Sequence, residues 1–135
     1  YLLLDNKGMS WWFNDKEDDM VDKHKTQALS FPLFKGKTWN TYIDDIKANV
    51  ECLHTDTLIT TKIGELKTVH IITTYAIKKQ STKDHTVYSE IQEFYHEKFG
   101  KVASKLVIYA VENGKSKRHL INSSEVYLVK VDDLK

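Results

Sequence analysis

The chain has 135 residues, the length of one domain, with 20 basic against 19 acidic side chains for a formal charge of +1. That balance, with the densest basic run confined to Lys115 through His119, excludes the broad basic face of a nucleic-acid binder. A composition of 41% hydrophobic residues is globular, one cysteine precludes an internal disulfide, and no apolar run approaches the roughly 18 residues of a membrane-spanning helix.

Taken in chain order, Tyr1 to Leu4 and Met9 to Phe13 flank the turn-forming group Asp5-Asn6-Lys7-Gly8 and predict an amino-terminal hairpin over 1–13. Neighbouring strand residues point to opposite faces, so one of Trp11 and Trp12 enters the core and the other faces outward. An outward tryptophan offers a rigid apolar plate for a sugar ring or a partner, which makes Trp11 and Trp12 the candidate ligand-binding residues. The competing reading has both covered, one by the core and one by the following loop. That loop, 14–25, is the strongly polar segment of the chain. Within it Asp15, Glu17 and Asp19 occupy positions 1, 3 and 5 of a calcium-loop frame. The frame fails at Met20, where glycine is needed, and at Thr26, where a bidentate glutamate is needed. These three acids are candidates for a looser metal site only.

The main sheet is expected over 26–131. Phe31-Pro32-Leu33-Phe34-Lys35-Gly36-Lys37-Thr38-Trp39 leads into it: Pro32 has a fixed φ and no N–H, Gly36 permits a tight bend, and Trp39 is expected to bury its ring. Ile46, Ala48, Val50 and Cys52 alternate with polar residues and predict a strand with one buried face. Thr57 to Ile63 and Leu66 to Ile77 read as a separate hairpin around Ile63-Gly64-Glu65. The segment 87–99 reads both ways. Six of seven positions at helical spacing are apolar, whereas its aromatic and branched residues and its run into Gly100 suit a hairpin arm; a strand is the reading adopted. Val102 to Val111, apolar on both faces, predicts a central strand covered on both sides. Asn113-Gly114 is a strong hairpin signal leading into Lys117 through Ile121, and Glu125 to Val131 reads as a further, final strand. The fold class expected is therefore mainly β, a single-domain curved antiparallel sheet, either a sandwich or a half-open barrel, with little or no helix.

Chemical signatures are sparse. Six histidines are scattered without the close spacing of a zinc site, and His96-Glu97 matches half of a metalloprotease helix motif, with Gly100 where the second histidine belongs. His70, between Val69 and Ile71, reads as a half-buried strand residue. Glu90, Glu93 and Glu97 are carboxylates whose separation a sequence cannot give. No nucleophile elbow, phosphate loop or dinucleotide fingerprint is present. No catalytic residue and no cofactor is assigned.

Three ordered landmarks carry a resemblance over about residues 1 to 131. Phe31-Pro32-Leu33 with Gly36-Lys37-Thr38-Trp39, then Ile63-Gly64-Glu65-Leu66, then Glu93-Phe94-Tyr95-His96-Glu97 with Phe99-Gly100-Lys101-Val102, resemble the PL-x-GKxW, GxF and YY…GxV motifs of uncharacterised secreted or lipid-anchored bacterial proteins, especially of Bacteroidetes. Lys101 stands where that pattern commonly has an apolar residue, and Leu66 where it has an aromatic. The resemblance implies a curved antiparallel sheet and an extracytoplasmic address. A chain opening on Tyr1 without an initiator methionine further suggests an upstream leader. The expected role is a non-catalytic domain that binds an apolar ligand, a glycan or an envelope protein, and meets membrane only through an upstream lipid anchor. Two alternatives stand beside it: an envelope hydrolase with an unrecognised carboxylate or metal site, and an interaction or carbohydrate-binding module using an exposed tryptophan.

Overall fold

The structure, a computed structural model, describes residues 2–12, 25–43 and 45–127. Nine strands occur among them: β1 (Leu2–Asp5), β2 (Gly8–Trp12), β3 (Lys25–Ser30), β4 (Thr38–Ile43), β5 (Ile46–Thr61), β6 (Gly64–Ala76), β7 (His85–His96), β8 (Gly100–Glu112) and β9 (Arg118–Tyr127). A 3-10 turn at Lys78–Gln80 is the sole helical element described. The protein is thus mainly β, as expected. Within each sheet every strand pairs antiparallel with its sequence neighbours, and β3 and β4 do not pair, giving a three-stranded sheet β1-β2-β3 and a six-stranded sheet β4 to β9, with no closure into a barrel.

The turns follow from local chemistry. Asp5 Oδ1 accepts from the amides of Lys7 (2.9 Å) and Gly8 (3.2 Å), fixing the β1–β2 turn. Gly64 and Gly114 take positive φ at the tips of the β5–β6 and β8–β9 hairpins, a conformation that glycine adopts without steric cost.

Residues 31–37 join the two sheets. Lys37 extends its ammonium back to the carbonyls of Ser30 (2.8 Å) and Pro32 (2.7 Å), while the Gly36 amide donates to the Cys52 carbonyl and the Cys52 amide to the Lys37 carbonyl, both at 2.8 Å. The motif is therefore stitched to β5. Side chains continue the seam: the Gln27 amide donates to Thr41 Oγ1 (2.6 Å), Thr26 Oγ1 to the Tyr42 carbonyl (2.5 Å) and Trp39 Nε1 to the Gln27 carbonyl (2.9 Å). Trp39 is half-buried, less than the sequence suggests, because its ring lies along this seam with its N–H engaged.

The core forms where the small sheet covers the inner face of the large one. Leu29 from β3 meets Val50 and Cys52 of β5, Ile71 of β6 and Tyr95 of β7, with Met9, Phe31, Leu33, Trp39 and Val69 packed around them. Removing such side chains from water is the main stabilising term.

Several sequence expectations need correction. The strand at Ile46–Cys52 and the arm at Thr57–Ile63 are one 16-residue strand, whose register shifts at Cys52/His54 and His54/Thr57 break the alternation that would have joined them. The residues after Asn113-Gly114 likewise form one strand through Tyr127, shifted between Ile108 and Tyr109; Leu128 to Val131 lie outside the described residues. The 87–99 segment is a strand to His96, so its helical spacing is coincidental. On β8 only Val102, Ala103 and Tyr109 are buried, so no second layer covers both faces.

Candidate functional site

The strand period of two sorts β7 into two surfaces. Ile91, Glu93 and Tyr95 face inward with Val69 and Thr73 of β6; Glu90, Gln92 and Phe94 face outward with His70. Between the inner surface and the small sheet lies a cleft of about 960 Å³. Met9, Leu29, Phe31 and Leu33 form one wall and Ile43, Val69 and Ile91 the other. This volume is at the upper end of the range for small-molecule sites, and the lining is chiefly apolar.

One end of the cleft is polar. Glu93 accepts from Lys101 Nζ (3.0 Å) and from the Tyr95 hydroxyl (3.3 Å), both on Oε2, and its side chain is 16% exposed. Burial pushes the Tyr95 phenol far above its ordinary pKa, and the neighbouring Glu93 charge adds to the effect, so the hydroxyl stays a proton donor. Among the described residues no donor reaches Glu93 Oε1. The corner is therefore internally neutral, with an open acceptor on Glu93 and spare N–H groups on Lys101. His96, stacked on Phe99 (ring centroids 5.0 Å apart), and Glu97 lie beside it.

Comparison with family models, with curated proteins and with solved structures gives no match.

Of the sequence candidates, Trp11 and Trp12 lie on β2, paired with Thr26 and Lys25; their side chains, like Asp15, Glu17 and Asp19, fall outside what the structure describes. His96-Glu97 sits at a strand end leading to the β7–β8 turn, where the helical spacing of a metalloprotease motif does not apply. The nominated acids divide: Glu93 and Glu97 line the cleft, and Glu90 is on the opposite face. Tyr95 and Lys101 were missed as site residues. The one signal for Lys101 is its charge at a position where the resemblance favours an apolar side chain.

The outer face holds a second polar arrangement. His54 and His70 are cross-strand partners, a closeness that 16 residues of separation conceal and that corrects the picture of scattered histidines. His70 Nε2 bonds Gln92 Oε1 (2.9 Å), Gln92 Nε2 donates to Glu90 Oε2 (2.9 Å), and Arg118 Nη1 donates to Glu90 Oε1 (3.4 Å) while lying 4.4 Å above the Tyr109 ring. His70 also stacks on Phe94 with centroids 4.3 Å apart. Burial pulls the His70 imidazole below its ordinary pKa and His54 adds to this, against Gln92 and Glu90. Both Glu90 oxygens are occupied, so this chain of contacts is internally satisfied. Among the described residues no group of three or more His, Cys, Asp or Glu side chains converges as a metal site.

Proposed function

We propose that the protein is a non-catalytic extracytoplasmic domain that holds an amphipathic ligand between its two sheets. The observation that carries this reading is the cleft of about 960 Å³, apolar along both walls and closed at one end by the neutral Tyr95–Glu93–Lys101 corner. An apolar body gains free energy by leaving water for these walls, and a hydroxyl, amide or ester head finds an acceptor in Glu93 and a donor in Lys101. The extracytoplasmic address is supported by the turn-and-core resemblance to secreted and lipid-anchored bacterial proteins. A hydrolase reading has less behind it: Glu93 and Glu97 share the cleft, but Glu93 is already engaged by Lys101 and the Tyr95 hydroxyl, and Glu90 is on the opposite face, paired to Arg118.

The test is direct titration of the full chain with a fluorescent amphiphile such as 1-aminoanthracene, followed by competition with monoacylglycerols of increasing chain length. Saturable one-site binding, displaced more strongly by longer chains, is expected. Failure of every chain length to displace the probe would remove the reading. Mass spectrometry of protein purified from its own host would then name the ligand.

A further inference from the structure

Strand β9 is the outer edge of the large sheet: β8 pairs with one side of it, and among the described residues no strand pairs with the other. The edge is exposed throughout Lys117 to Glu125, and it presents Leu120 at 66% and Ile121 at 55% exposure. Along this ten-residue strand the N–H and C=O groups that point away from β8 have no strand partner among the described residues, and with two exposed aliphatic side chains they form a template for a further strand.

The sequence of β9 is complementary to itself in one antiparallel register. Arg118, Leu120, Ser123 and Glu125 stand opposite Val111, Tyr109, Val107 and Lys105 of β8, residues of one parity, and so share the outer face. Ile121 is the extra residue that makes this possible, since it has no partner on β8. When two copies of β9 are aligned about the Ile121–Asn122 midpoint, Arg118 faces Glu125 of the second copy and Leu120 faces its Ser123, each twice. The faces match at every such pair, and the extra residue of one strand falls opposite the same region of the other. Within its own chain Arg118 is paired to Glu90 through Nη1 (3.4 Å) and Glu125 to Lys105 through Oε1 (3.5 Å), but the two side chains are 61% and 55% exposed, so the remaining guanidinium N–H groups of Arg118 and the second oxygen of Glu125 are accessible to a second chain.

We infer that the occupant of this edge is a second copy of the chain, joined β9 to β9 across a two-fold axis into a continuous twelve-stranded sheet. The self-complementary charges select that partner over an unrelated strand, and opposite charges directly across an antiparallel pair are favourable. The contact is one strand wide, so the dimer is a weak one, of the class of interfaces below about 1,200 Å².

Sedimentation of the full chain from low to several hundred micromolar should show a monomer–dimer equilibrium. Glu125→Lys places lysine opposite Arg118 at both ends and should weaken it about tenfold. Leu120→Cys and Ser123→Cys, both at exposed positions, should form an intermolecular disulfide when the two variants are mixed, and little when either is oxidised alone. Circular dichroism of each variant checks that the sheet is intact. A monomer at every concentration, a dimer indifferent to Glu125→Lys, or cross-linking of a single variant as strong as that of the mixture overturns the inference.

Discussion

At the scale of single residues, space and solvation set clear expectations. A Cβ on Gly8 would collide with the Leu29 carbonyl oxygen, where β2 meets β3. Gly8→Ala should therefore cost about 3 kcal/mol of stability in urea unfolding, as overpacking against fixed backbone does. Gly64→Ala meets no neighbouring atom and pays only for positive φ, about 1 kcal/mol. His70 gives a pH dependence. Its folded-state pKa lies below the ordinary 6.5, so between the two values the unfolded chain binds more protons and stability rises with pH. The contribution is complete above about 6.5 and is lost as pH falls toward the folded value. Urea midpoints from pH 8 to 5 should thus decline more steeply in the native protein than in His70→Gln.

At the scale of elements, the seam between β3 and β4 is where two sheets become one body. Thr41 is buried, and its hydroxyl both accepts from the Gln27 amide and donates to the Lys25 carbonyl (3.4 Å). Thr41→Val keeps the shape but leaves the Gln27 N–H without that acceptor, which should cost about 2 kcal/mol and speed hydrogen exchange at Gln27. Thr38→Val, exposed on the same strand, should change stability by less than about 0.5 kcal/mol. The same elements show what a sequence reveals. Asn113-Gly114 and Ile63-Gly64 marked their hairpins because tight turns demand particular residues within a few positions. The continuity of β5 and β9 was hidden because an unpaired residue reverses the parity on which strand reading depends, and Ile121 carries no mark of being unpaired. The β3–β4 seam was equally hidden, since Thr41 bonds a backbone group 14 residues away.

At the scale of the whole molecule, the cleft exists because a three-stranded sheet is too narrow to cover the inner face of a six-stranded one, so part of that face is left for something else. Neither its walls nor its polar corner was legible, because the walls come from two different sheets and Glu93, Tyr95 and Lys101 come together only through the β7–β8 pairing, with its register shift between Phe94 and Tyr95. If an amphiphile lies with its head at this corner, saturation a hundredfold above Kd should stabilise the fold by about 2.7 kcal/mol. For a domain of this size that raises Tm by roughly 8 °C. The Glu93–Lys101 pair is neutral, so laurate and dodecylamine should raise Tm similarly in the native protein. Glu93→Gln leaves the lysine uncompensated and should favour laurate, whereas Lys101→Met leaves the carboxylate uncompensated and should favour dodecylamine. Each change is worth about 1 kcal/mol, the energy of two unit charges about 4 Å apart in water. Thermal unfolding of the three proteins with the two amphiphiles measures the swing. Equal preferences in both variants would place the head group away from Glu93 and Lys101, even where binding itself persists.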